Sequence, residues 1–145
     1  MEKEYTPKRR EEDEQAAVIA WANLQAAAWP ALKNLYHVPN EGKRGRAAAG
    51  MAKAAGLRSG VPDLVLDFPA GAYHGLRIEM KVHPNRPTPA QWDWLRRLQD
   101  VGYLVAVCYS ADAARTLITR YIRLAAGEKL TFAPECTQMG LPVLK

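Results

Sequence analysis

The ten residues from Gly75 to Pro84, GLRIEMKVHP, constrain the fold more than any other stretch. Leu76, Ile78, Met80 and Val82 alternate with Arg77, Glu79 and Lys81, the period-two pattern of a strand with one apolar face. Glu79 and Lys81 then project from the same face, about 6.6 Å apart along the chain at ~3.3 Å per residue. That spacing suits a surface salt bridge, and it equally suits a metal ion with the water it activates.

The surroundings turn this strand into a topology. VPDLVLDF, residues 61–68, reads as a second strand, and PAGAYH, residues 69–74, as the link of a hairpin. TPAQWDWLRRLQDVG predicts a helix with Thr88 as N-cap, Pro89 at the first position and Gly102 past the end. YLVAVCY, residues 103–109, is an almost continuous apolar strand of the kind covered on both faces. Ser110 then caps a helix whose stripe is Ala114, Leu117, Ile118, Tyr121 and Ile122. A strand, a crossover helix and a further strand imply a parallel pair with a right-handed connection. The hairpin adds an antiparallel neighbour. The expectation is an α/β fold, a mixed sheet of three or more strands flanked by helices on both sides.

Upstream, Thr6-Pro7 marks the start of a helix that should run to about Trp29, with Ala17, Val18, Trp21 and Leu24 facing the core. LYHVPN reads as a short extended piece, and GRAAAGMAKAAG as an alanine-rich helix closed by Gly56. With 145 residues and no long linker or repeat, the chain reads as one domain, residues 1–145, with its core at about 8–126. The tail from 127 to 145 carries signals too weak for an assignment.

Charge distribution bears on partners. The net charge is +5, yet residues 1–15 hold six acids against four bases, whereas residues 33–58 hold six bases (Lys33, Lys43, Arg44, Arg46, Lys53 and Arg58) against Glu41 alone. Isolated carboxylates flanked by basic segments fit a polyanion gripped broadly and cut locally. Cys108 and Cys136 make no CxxC pair, which argues against a structural zinc site or a disulfide framework. No apolar run approaches the ~18 residues of a membrane span, so no membrane partner is expected and the reading is a cytoplasmic protein. His37, His74 and His83 lack metal-ligand spacing and receive no role.

A third residue completes the constellation. Asp63 lies near the start of the first hairpin strand, and pairing carries that strand alongside Glu79 and Lys81. Two carboxylates converging from adjacent strands offer oxygens to a hard cation such as Mg²⁺ or Mn²⁺. A neighbouring lysine can hold the attacking water or counter charge on a phosphate, while the metal polarises the phosphoryl oxygen and supplies hydroxide. No small-molecule cofactor is called for.

Pro62-Asp63, fifteen intervening residues and Glu79-Met80-Lys81 resemble the PD-(D/E)xK signature of metal-dependent nucleases with the restriction-endonuclease-like fold. More narrowly, GVPDL, RIEMK and TPAQWDWLRRL…G resemble the VRR-NUC domain, from about Glu11 to Ser110. The departure is Met80, where the family name suggests an aliphatic residue. The resemblance implies a metal-dependent DNA endonuclease in which Asp63, Glu79 and Lys81 are catalytic and the Met80 carbonyl joins Asp63 and Glu79 as a metal ligand. Gln91 then belongs to the active-site motif, although Thr88-Pro89-Ala90-Gln91 also fits a capping box. Asn40 and Glu41 resemble a segment near the substrate. An acid on the first helix completes the site, and periodicity alone leaves Glu11 and Glu14 together. The family spacing of an acid four residues before a glutamine selects Glu11, with Gln15. Alternatively, these acids merely favour the helix dipole.

The bases Lys43, Arg44, Arg46, Lys53 and Arg58, with Asn40, are the expected DNA contacts. Without room for a separate sequence-reading domain, recognition should rest on phosphates and DNA shape. The resemblance further implies a bacterial or phage-encoded homodimer that resolves four-way junctions. A flap- or fork-specific nuclease and a non-catalytic nucleic-acid-binding module are the alternatives.

Overall fold

The structure, a computed structural model, describes residues 10–39 and 46–145, Arg46 by its backbone only. Its elements are α1 (Glu11–Gln25), β1 (Leu35–His37), α2 (Arg46–Ala54), β2 (Leu64–Leu66), β3 (Leu76–Met80), α3 (Pro89–Asp100), β4 (Leu104–Cys108), α4 (Ala111–Ile122), β5 (Thr137–Gln138) and β6 (Leu141–Leu144). Six strands form one mixed sheet in the order β1-β2-β3-β4-β6-β5. β2 and β3 pair antiparallel as the hairpin, and β3 pairs parallel to β4 across the α3 crossover. The fold is the α/β sandwich that the alternation implied.

Each face of the sheet has its own core. Leu76, Ile78 and Met80 of β3, with Ala106 and Cys108 of β4, pack under α1 and α4, where Val18, Ala22, Leu117, Ile118 and Tyr121 meet them. Val105 and Val107 point the other way and join Leu95 of α3 and Leu141 of β6. All five residues of β4 are buried, as its unbroken apolar run requires. Tyr121 is fully buried and donates its hydroxyl to the Phe68 carbonyl at 2.7 Å. Burial pushes its pKa up to about 12, and that of Cys108 likewise to about 12, which leaves the thiol inert.

The helix boundaries of α3 follow from local chemistry. The Thr88 side chain accepts from the Gln91 amide at 3.2 Å, and Gln91 Oε1 accepts from the Thr88 amide at 2.8 Å, a complete capping box. α2 ends before Gly56, whose φ of +110° is a left-handed conformation that glycine tolerates best.

Two expectations need correction, and one region gains structure. Thr6 and Pro7 lie outside the described residues; the described helix opens at Glu11 after an extended Arg10 and ends at Gln25, short of Trp29. Its inward face is Val18 and Ala22 with Ile19, Trp21 and Ala26 half-buried, while Ala17 is exposed and Leu24 is 81% exposed. At ~100° per residue, the true stripe is rotated by roughly one residue from the expected one. The unassigned tail adds two strands, with β6 parallel to β4 and Leu141 buried. Among the described residues no helix is long and apolar enough to cross a membrane.

Candidate active site

Asp63 directly precedes β2. The register sets Leu64 opposite Ile78 and Leu66 opposite Leu76, and one further step places Asp63 opposite Glu79. Asp63 Oδ2 accepts a hydrogen bond from the Met80 amide at 2.8 Å, which fixes this carboxylate against the end of β3. Glu79 shares the β3 face that leads to Val107 and is almost wholly buried, as is Lys81 just beyond the strand. Lys81 Nζ lies 3.7 Å from Glu79 Oε1 and 3.9 Å from Glu11 Oε1. The hairpin and the first helix thus bring Glu11, Asp63, Glu79 and Lys81 to one end of the sheet.

The electrostatics of this group are unusual for a structural ion pair. Among the described residues, Glu79 Oε2 is buried without a hydrogen-bond partner. Burial first, and the Asp63 charge second, push the Glu79 carboxyl up to about 9 despite the nearby ammonium. Burial also raises Asp63, against the opposing pull of the Met80 amide, a hydrogen bond with Glu79 and the Lys81 charge. Two carboxyls in contact, both pushed upward, retain a proton between them near neutral pH.

The remaining residues are placed as follows. Glu11 Oε1 accepts from Asn85 Nδ2 at 3.3 Å, whereas Glu14 Oε2 accepts from the Ala111 amide at 2.8 Å, at the N-terminus of α4. The two acids that periodicity left together therefore have different partners. Gln91 forms the α3 cap and also lines a cleft of about 370 Å³ next to Asp63. Lys53 and Arg58 are exposed near this cleft's walls or on α2. Asn40, Glu41, Lys43 and Arg44 lie outside the described residues, as does the side chain of Arg46. Among the described residues no three His, Cys, Asp or Glu side chains close on one point, so the acids form a pair, Asp63 and Glu79, with Glu11 joined through Lys81.

The VRR-NUC domain family matches residues 3–112 of the sequence. The chain belongs to the VRR-NUC family. A solved VRR-NUC domain protein is 32% identical and superposes with a TM-score of 0.72, over 83% of this chain and 94% of that one. No curated protein matches. VRR-NUC domains are of nuclease type, so DNA is the class of partner for this chain. The role of Asn85 is not visible locally, because its contact to Glu11 spans 74 positions and its neighbourhood reads simply as the turn-forming run HPNRP. Trp94 donates its indole N–H to the Ser59 carbonyl at 2.8 Å, a tie that spacing on α3 could not announce.

Proposed function

We propose that this VRR-NUC chain is a divalent-metal-dependent endodeoxyribonuclease that hydrolyses phosphodiester bonds in branched DNA, acting as a homodimer on four-way junctions. The observation that carries the reading is the buried Glu79 carboxyl, held against Asp63 and Lys81 with one oxygen unmatched among the described residues. An acid kept in that state is costly to fold around, and such perturbed groups mark functional sites. A cation that replaces the retained proton would satisfy both carboxylates.

The donor set fits Mg²⁺ or Mn²⁺, which takes one or two carboxylates and otherwise keeps its waters. Asp63 and Glu79 would hold the ion with the Met80 carbonyl, and Glu11, which lies beside Lys81 and outside that pair, would act on the site from α1. Bound there, the ion supplies Lewis-acid polarisation and a water acidic enough to ionise near neutral pH. Lys81 then orients the attacking water and offsets charge on the phosphate. Asn85 orients Glu11, and the capping box holds Gln91 at the edge of the site. Lys53 and Arg58, together with Asn40, Lys43, Arg44 and Arg46, meet DNA phosphates.

Paired cuts in a four-way junction need two sites related by a two-fold axis, hence the homodimer. The test is cleavage of flaps, forks, duplexes and four-way junctions by the purified protein, with Mg²⁺, Mn²⁺ or EDTA. Symmetric metal-dependent nicks in the junction are expected. Cutting confined to flaps would reassign the substrate, and tight binding without any cutting would make the chain a binding module.

A further inference from the structure

The cleft beside Asp63 has a shape and chemistry that metal binding does not use. Its walls are Pro39, Leu57, Val61 and Trp94, with Arg58 among its lining residues and Asp63 at the catalytic end. At about 370 Å³ it lies at the low end of pockets that hold a small ligand, ~300–1,000 Å³, which leaves room for one nucleotide and excludes a base pair.

The walls are pinned. Trp94 is tied to the Ser59 carbonyl at 2.8 Å and carries the Arg97 guanidinium 4.2 Å over its ring. Gly60, at φ +85°, passes so close to α3 that a Cβ there would lie 2.6 Å from the Ala90 carbonyl carbon. The loop from Leu57 to Pro62 is therefore clamped onto the start of α3, and the cleft persists as a fixed recess.

We propose that this cleft receives one unpaired nucleotide beside the scissile phosphate, its base against Leu57, Val61 and Trp94 and its phosphate met by Arg58. The inference rests on the nuclease reading and narrows its substrate. An apolar and aromatic wall accepts any base because every base has a π-face, and the neighbouring arginine supplies charge complementarity. Taking a base out of a stack is least costly where it is already unpaired. The recess thus selects branch points, where unpaired nucleotides are to hand, over continuous duplex, without reading sequence.

The test uses the full chain with Ca²⁺ and branched oligonucleotides carrying one 2-aminopurine at successive positions around the branch. One unpaired position should become shielded from acrylamide quenching, and the same base in continuous duplex should not. Leu57→Trp, which fills the recess, should abolish the shielding and weaken binding on the order of tenfold, with Arg58→Ala weakening it while the shielding pattern stays. Val61→Phe serves the same purpose if Leu57→Trp does not melt cooperatively. Shielding at no position, shielding that survives both filled clefts, or equal shielding in duplex would overturn the proposal. So would a change from dimer to monomer in the filled variants, which would make the recess an interface between copies. Shielding without cleavage in Mg²⁺ would defeat the nuclease reading alone, and cleavage without shielding would defeat the cleft alone.

Discussion

Glu79→Gln separates what this residue does for folding from what it does for chemistry. Glu79 is buried, its carboxyl is raised to about 9 chiefly by that burial, and among the described residues one of its oxygens has no partner. A folded-state pKa above the unfolded value gives stability that is fully present below the unfolded pKa of 4.5 and is lost as pH rises toward about 9. Within that window the native state holds one proton more than the unfolded chain. Metal-free protein should then lose up to about 1.4 kcal/mol of stability for each unit the pH rises. Glutamine mimics the protonated carboxyl and does not titrate, so the variant should lack this part of the slope; whatever slope remains belongs to Asp63 and the rest of the chain. The difference in stability between variant and wild type should move in the variant's favour by roughly 3 kcal/mol between pH 6 and pH 8. Urea unfolding followed by circular dichroism in EDTA measures it. With saturating Mg²⁺ the wild type should recover stability increasingly as pH rises, since ligands must shed protons to bind metal, and the variant should not. Parallel stability curves for the two proteins across that range would refute the reasoning.

Other expectations concern separate parts of the molecule. Glu11→Gln should cripple metal-dependent cleavage, whereas Glu14→Gln, which keeps an acceptor for the Ala111 amide, should cut close to wild type; steady-state rates on one branched substrate decide between them. Lys53→Ala with Arg58→Ala should flatten the plot of log affinity against log salt by about 1.8 if both residues meet duplex phosphates, and an unchanged slope places the DNA elsewhere. Tyr121→Phe leaves the half-buried Phe68 carbonyl without its donor, at a cost on the order of 1 kcal/mol, readable as a fall of a few degrees in Tm with cleavage retained.

The parts of the fold legible in the sequence were those with a strong local pattern: alternation, an unbroken apolar run, or a complete set of helix-end signals. β3 alternates apolar and charged residues, β4 is apolar throughout, and α3 has a cap, a first-position proline and a terminal glycine. Each of these forms as expected. α1 was harder to orient because it is rich in alanine, whose small side chain marks neither face. Leu24, the natural choice for a core position, is exposed, and Ala22 is buried instead. β6 escaped because its four residues include Pro142, and a proline demotes a strand reading. At the site, the pairing of Asp63 with Glu79 followed from hairpin register. The differing partners of Glu11 and Glu14 did not, since Asn85 and Ala111 lie 74 and 97 residues away along the chain.

Single-turnover cleavage of one end-labelled branched DNA, run beside a Mn²⁺-binding titration, tests the central claim most directly. Wild-type protein should cut in Mg²⁺ and stop in EDTA. Asp63→Ala should lose both cutting and metal affinity, while Lys81→Ala should lose cutting and keep its metal, because the ammonium acts on water and phosphate and not on the ion. Robust cleavage by either variant, or loss of metal by Lys81→Ala with Asp63→Ala unaffected, would contradict the account.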